Sequence, residues 1–457
     1  MARNTTVRSR ARGPARPIAR ARTPTRAATP APAPTPGTAT GPARVPPPAG
    51  APVPARATAL ALAAALALAG CGTAQERRLT PPPADVIAAD AGDVVDAGEI
   101  VALVATEAAA DRLATAAAGA GYRLAARDSL GALGEVMLTF RIPPGTGPAQ
   151  AIAALEALEP GATAGVNHAY RPQPDGATGV AARRYAGALI GWPEEGCRAR
   201  VPVGILDADL DPAAGPLSEA RVVRLAFVEA SGAAGSAAGR SASGGPNASS
   251  HGTAVAEILA GPGRLRDARL YHAAVVGAVE GREPAAGVDA ILRALDWLGS
   301  EDVRLVNVSL AGPYNKILDR GLQAAAERGM VVIAAAGNVG AGGPPRYPAA
   351  LPSSIAVTAV DAALAPYRGA PDGPHIDVAA PGVDVFVQSA APGRYLSGTS
   401  LAAPFVTAAI AADPEAARLR SGPALRAWLA GRALDLGPPG PDSRFGAGLI
   451  QTGPGCR

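Results

Sequence analysis

Aromatic residues are scarce: Phe, Trp and Tyr make up 4% of the 457 residues. A core must therefore be filled by small aliphatic side chains, mostly Ala, drawn from an apolar share of 48%. Charged residues are also few, but at 18% with this apolar content the chain is not wholly disordered. No apolar run reaches the roughly 18–20 residues of a membrane-spanning helix, which argues against a polytopic membrane protein. There is no His-Glu-x-x-His and no cysteine pair at zinc spacing, so a metallopeptidase is unsupported. Acidic residues are missing altogether from residues 1–56, which hold ten Arg. The remainder carries 32 basic against 38 acidic residues, so the overall charge of +4 hides a mildly acidic bulk. A nucleic-acid role has no support outside that tail.

What is present begins with Arg/Pro/Ala/Thr low complexity over residues 1–56. An apolar stretch, Ala57–Ala69, follows Arg56 and ends in Leu68-Ala69-Gly70-Cys71. A basic flank, a short apolar core and small residues mark a secretory signal. The last four residues resemble a bacterial lipobox, in which the cysteine is lipidated after cleavage. A plain signal cut after Ala69 is the rival reading. The tail is long for a signal and points to a translation start downstream, at Val53. The chain is thus expected to be exported to the cell envelope or periplasm, lipid-anchored at Cys71, or secreted. Once Cys71 is set aside, Cys197 and Cys456 remain, an even number suited to an oxidising compartment and a candidate disulfide.

Residues 72–95 read as a linker around Pro81-Pro82-Pro83. From there a small α/β pattern appears: strand Ile100–Val104, helix Ala108–Ala118, strands Tyr122–Asp128 and Val136–Arg141, helix Pro148–Leu158 and strand Gly165–Tyr170. The order β-α-β-β-α-β predicts a ferredoxin-like module over residues 96–172. Residues 173–199 read as a connecting segment with a helix over Val180–Ile190. Over residues 200–457 the pattern changes. Pro202–Leu206, Arg269–Val276, Val303–Leu310, Met330–Ala336 and Ile355–Val360 are near-continuous apolar runs, as parallel strands buried on both faces require. Helices over Val255–Leu259, Val288–Leu298 and Ile317–Glu327 separate several of them. The expected fold class is α/β, three layers around a mostly parallel sheet.

Four segments carry the chemistry. Strand Val203–Leu206 ends in Asp207-Ala208-Asp209, His251-Gly252-Thr253-Ala254-Val255-Ala256 opens one apolar helix, and Ser397-Gly398-Thr399-Ser400-Leu401-Ala402-Ala403-Pro404 opens another. Ala334-Ala335-Ala336-Gly337-Asn338 ends a buried strand. A serine hydroxyl needs a base within hydrogen-bond reach, a carboxylate to fix that base, and a donor for the oxyanion. Strand ends and helix N-termini hold such groups rigidly at the carboxyl edge of a parallel sheet.

In these residues the chain resembles the subtilisin-like serine proteases, or subtilases. The order Asp, His, Ser is that family's. His-Gly-Thr-x-Val-Ala at 251–256 and Gly-Thr-Ser-x-Ala-x-Pro at 398–404 match it closely. The resemblance implies that Asp207 orients, His251 is the general base, Ser400 attacks, and Asn338 donates to the oxyanion hole. It also implies that Ser309, Leu310, Ala311 and Gly312, with Ala336 and Gly337, line the substrate cleft. There a protein or peptide substrate adds as a β-strand. The ferredoxin-like module becomes a propeptide, an intramolecular inhibitor, with self-cleavage after or near Tyr170.

Some residues depart from the family's pattern. Ala208 and Asp209 follow Asp207 where Thr or Ser and then Gly are usual. Asp209 puts a second carboxylate near the site, able to shift local pKa values or bind a cation. Asp207, rather than Asp209 or Asp211, takes the orienting role because it is the first polar residue after a buried strand. Ala311 stands where Gly is common. No calcium-site pattern is legible and no cofactor or metal is called for. His272, His375 and Trp192 read as structural, and Asp377–Gly382 as turn chemistry. A second reading stays open: a catalytically silent subtilase-fold peptide-binding lipoprotein, its site silenced by Asp209.

Overall fold

In the computed structural model, residues 93–172, 185–211, 217, 220–228, 246–279, 282–388 and 393–456 are described. The signal and lipidation readings around Cys71, and the start of the expected helix over Val180–Ile190, lie outside them. The rest of that helix appears as Tyr185–Leu189.

The small module runs β1 (Glu99–Val104), α1 (Glu107–Gly119), β2 (Arg123–Leu130), β3 (Glu135–Arg141), α2 (Pro148–Leu158) and β4 (Thr163–Val166). Thr106 caps α1 by accepting from Ala109 N at 3.1 Å, and Pro148 sits at the start of α2, where a missing N–H costs nothing. The sheet order is β2-β3-β1-β4, with every pairing antiparallel. Along β1 the side chains alternate. Ile100, Ala102 and Val104 pack with Leu113, Phe140 and Leu155 inside the module. Val101 and Leu103 face the other way, into a cluster shared with the large body.

Two expectations for this region change. Val94 is buried and bridges His168, and Val95 N donates to Asn167 O at 2.7 Å, so the module reaches back into the expected linker. The single last strand expected over Gly165–Tyr170 is two. β4 stays in the module, whereas β5 (Ala169–Pro172) leaves it for another sheet.

The large body is built on a seven-stranded sheet. Its strands are β6 (Val203–Asp207), β7 (Arg221–Ala226), β8 (Arg269–Ala274), β10 (Leu305–Val308), β12 (Val331–Ala335), β13 (Ser354–Val360) and β14 (Ile376–Pro381). β9 (Arg282–Gly287) and β11 (Leu310–Ala311) belong to a second sheet. Its helices include α3 (Pro246–Ala260), α4 (Val288–Ser300), α5 (Lys316–Glu327) and α6 (Thr399–Ala412), with Gly422–Ala430 packed on β13 and β14. The order across the main sheet is β14-β13-β12-β10-β6-β8-β7, all parallel.

Alternation along its strands divides the core. Val203, Ile205, Val331, Ile333, Ile355 and Val357 face α3 and α6. Leu206, Val306, Val332 and Ala334 face α4 and α5. This is the three-layer α/β/α arrangement that the near-continuous apolar runs imply. The structure adds two edge strands, β7 and β14. The second was read as a turn, because Pro381 and Gly382 end it.

Trp192 is buried and its Nε1 donates to Gly263 O at 3.0 Å, so it anchors the connecting segment to the body. Cys197 and Cys456 are joined as a disulfide, Cα–Cα 5.0 Å.

Candidate active site

The site forms at the carboxyl edge of the parallel sheet, on both sides of its central strand. Asp207 is the last residue of β6 and has no exposed surface. Its Oδ1 accepts from His251 Nδ1 at 2.7 Å and from Ala208 N at 2.6 Å. Because Nδ1–H is committed to the carboxylate, the imidazole lone pair lies on Nε2, as a general base requires. His251 is 4% exposed and lies within α3 rather than at its opening. The adjacent Gly252 is required by a close approach: a Cβ there would run into the Ala208 carbonyl oxygen.

Ser400 is the second residue of α6, at a helix N-terminus whose backbone N–H groups and dipole favour negative charge. α3 and α6 pack on one another, with Ala254, Val255, Leu401 and Ala402 in one cluster. Ser250 Oγ, next to His251, accepts from Arg394 Nη2 at 2.8 Å, on the segment leading into Ser400. Ser400 is fully buried and its Oγ makes no hydrogen bond among the described residues. The hydroxyl and the ring are not hydrogen-bonded to each other, and such bonds often tighten only with substrate.

Asn338 follows β12. Its Oδ1 accepts from Thr399 N and from Thr399 Oγ1, each at 3.0 Å. These two bonds fix which way the amide points. Nδ2 is buried and has no hydrogen-bond partner among the described residues. A buried amide donor beside a helix N-terminus suits an incoming oxyanion.

Asp209 does not act as a loose second carboxylate. It is paired with Arg224 and also accepts from its own Leu210 N at 2.8 Å. Among the described residues, no group of three His, Cys, Asp or Glu could hold a metal ion. His272 Nε2–H donates to Ala208 O at 2.8 Å, and burial lowers its pKa. The ring thus supports the turn after Asp207 in its neutral form. His375, outside the site, is lowered by burial to about 4.

The cleft residues divide into two groups. Leu310 and Ala311 form β11 and pair antiparallel with β5, Leu310 with Pro172 and Ala311 with Arg171. On its other side β5 pairs with β9, Ala286 with Tyr170 and Gly287 with Ala169. β5 therefore lies between β9 and β11 in the second sheet. The Tyr170 ring packs against Gly312, where a Cβ would collide with it, and its hydroxyl donates to Pro313 O at 2.9 Å. Burial raises the Tyr170 pKa well above its usual value, so that hydroxyl stays protonated. Ala336 N donates to Val357 O at 2.9 Å, and Gly337 holds the positive φ of 104° that leads into Asn338.

Ser309 is buried and bonded to the Ser400 carbonyl rather than open to the cleft. Motif reading missed β9, Arg224 and the buried Thr407. β9 carries no reactive side chain, and Arg224 meets Asp209 only through the parallel pairing of β7 beside β8.

Comparison with known proteins gives the family and the fold. The family model described as the subtilase family (peptidase S8) matches residues 199–448. Subtilisin Savinase of Lederbergia lenta is 33% identical over 218 residues, 44% of this chain and 76% of that protein. The alkaline protease of Alkalihalobacillus alcalophilus is 33% identical over 218 residues, 44% of this chain and 53%, about half, of its own length. Among solved structures, fervidolysin of Fervidobacterium pennivorans aligns with TM-score 0.62 at 19% identity, covering 82% of this chain and 62% of its own. The epidermin leader peptide processing protease of Staphylococcus aureus aligns with TM-score 0.58 at 15% identity, covering 78% of this chain and 98% of its own. At those identities the two structures speak for the fold alone. With its family match spanning more than half of the residues, the chain belongs to the subtilase family, the subtilisin-like serine proteases.

Proposed function

We propose that the chain is an exported serine-type endopeptidase made as a self-inhibited, self-processing precursor. Ser400 Oγ attacks the scissile carbonyl carbon while its proton passes to His251 Nε2. Asp207 holds the resulting imidazolium. Asn338 Nδ2 and the backbone at the start of α6 meet the oxyanion. The C–N bond then breaks as His251 returns the proton to the leaving amine, and water repeats the sequence on the acyl-enzyme. The ferredoxin-like module is the propeptide and intramolecular inhibitor, and protein or peptide substrates take the place of its last strand.

The observation that carries this reading is β5, which lies between β9 and β11 as an added strand. Its pairing runs on to Pro172, so a self-cut placed by that pairing falls beyond Pro172 rather than directly after Tyr170. The disulfide supports an oxidising compartment and hence export. Among the described residues no helix is long and apolar enough to cross a membrane. The lipobox-like Leu68-Ala69-Gly70-Cys71 supports lipid attachment at Cys71. The silent-scaffold reading rested on Asp209, and Arg224 takes that carboxylate.

The test is a fluorophosphonate probe with intact mass measurement on the full chain. Labelling at Ser400 and a trimmed product are expected, with Ser400→Ala accumulating uncleaved precursor. A Ser400→Ala chain trimmed at the same bond without added protease would refute self-processing. Loss of one oxyanion donor in subtilisin itself costs about 10²–10³-fold in kcat, and Asn338→Ala should lose as much.

A further inference from the structure

We infer that Ser309 is a positioning residue for Ser400, supplying a hydrogen bond that Pro404 takes away. The inference rests on the reading of Ser400 as the nucleophile.

In a regular helix the N–H of residue 404 would donate to the carbonyl of residue 400. Pro404 lies inside α6. Proline has no N–H, and its ring crowds the carbonyl four residues earlier. Both effects fall on the Ser400 carbonyl, the peptide unit that carries the reacting side chain. Ser400 is fully buried, where an acceptor without a donor is costly.

A different element answers it. Ser309 occupies the one-residue break between β10 and β11, and its hydroxyl donates to Ser400 O at 2.9 Å. Ser309 Oγ accepts in turn from Asn307 Nδ2 at 2.9 Å. Asn307 Oδ1 accepts from Thr407 Oγ1 at 3.0 Å, with Ala403 O at the same distance as the alternative acceptor for that hydroxyl's single proton. Asn307, Ser309, Ser400 and Thr407 all have 0% exposure, so no solvent competes. Donation by Asn307 Nδ2 fills an acceptor site on Ser309 and leaves its single proton for Ser400 O. The relay runs one way and starts and ends on α6, two turns apart. Between those ends it passes through Asn307, which sits in the sheet beside Ile205 and Ile333. It therefore fixes the first turn of α6 against the sheet centre. Ser309 also directly precedes Leu310 and Ala311, which pair with β5. One residue couples the strand that receives a peptide to the backbone of the group that attacks it.

A double-mutant cycle between Ser309→Ala and Pro404→Ala tests this in the full chain. Active sites are counted with a fluorophosphonate, and kcat and KM are measured separately on a fluorogenic peptide. With Pro404 present, Ser309→Ala should lower kcat about tenfold and move KM by less than about twofold. With Ala at 404, the restored N–H bonds Ser400 O, and the same Ser309→Ala change should cost only about twofold. A merely structural role for Ser309 gives no reason for the loss of a helix proline to repair kcat. An equal loss in both backgrounds, or no loss in either, overturns the inference. Should Ser309→Ala fail to fold, Thr407→Val removes the head of the relay and must still lower kcat at constant KM; an unchanged kcat there overturns it as well. A wild-type chain that takes no fluorophosphonate overturns the nucleophile reading and this inference with it. Labelled wild type with flat variants overturns this inference alone.

Discussion

The seven-stranded sheet of the body has helices from its own stretch of chain on both faces, whereas the four-stranded sheet of the module has its own helices on one face only. The module's second face, with Val101, Leu103, Leu130 and Met137, is closed by Ile291, Leu292 and Leu295 of α4 and by Ile317 and Leu318 of α5. Around that apolar seam the contacts are polar. Arg320 donates to both oxygens of Glu135, at 3.0 and 2.8 Å, and to Gly161 O and Thr163 Oγ1. Lys316 pairs with Glu156, and Asp296 Oδ1 accepts from Ala132 N and Leu133 N. Asn315 caps α5 through Oδ1 and gives its amide N–H groups to Val166 O and His168 Nδ1, both at 2.9 Å. An apolar centre with a polar rim is the anatomy of a separable interface. The body covers both faces of its sheet with its own helices, whereas the module closes one face of its sheet against the body.

The contrast can be broken most forcefully at the seam. Leu103→Asp puts an unpaired carboxylate where the side chain is 0% exposed, a change of more than about 4 kcal/mol. It should expel the module while the body stays folded, read as peptidase activity without a processing lag. Global unfolding by circular dichroism would show instead that the body is not self-sufficient. Next comes Arg320→Ala, which removes four hydrogen bonds at the rim and should cost about 2–3 kcal/mol of seam stability. The body's own melting should stay fixed while precursor lifetime shortens.

Acid should act on the body through His375. Neither ring nitrogen has a hydrogen-bond partner among the described residues, and burial holds the folded pKa near 4. The unfolded chain binds this proton near 6.5, so the stability is full above that value. It is lost as pH falls from 6.5 to about 4, on the order of 3 kcal/mol. Melting curves at pH 7.5 and 4.5 should separate, and His375→Leu should narrow the gap. Smallest of all, Lys316→Ala breaks one partly exposed ion pair and should change precursor stability by under about 1 kcal/mol. A larger effect would mean that the rim, not the apolar centre, holds the module.

The convergence of Asp207 and His251 was legible because each lies in a motif at the end of an apolar element. The three layers were legible because buried parallel strands read as unbroken apolar runs. The division of Gly165–Tyr170 into β4 and β5 was not, since nothing local says that a strand changes sheets at Asn167-His168. β14 was hidden by Pro381 and Gly382, and β7 by Arg221 and Arg224 along its length. The one-residue interruption at Ser309 is invisible in an apolar run. Its bond to Ser400 spans 91 residues of sequence and follows only from the packing of α6 on β10.

Cys197 and Cys456 stand 259 positions apart, and their bond closes that whole span into a covalent ring. Asp207, His251, Asn338 and Ser400 all lie inside the ring. A single nick anywhere within it, by a sister copy or by another protease, releases no fragment. On a gel without reductant such a molecule keeps its full mass, and only thiol treatment parts the pieces.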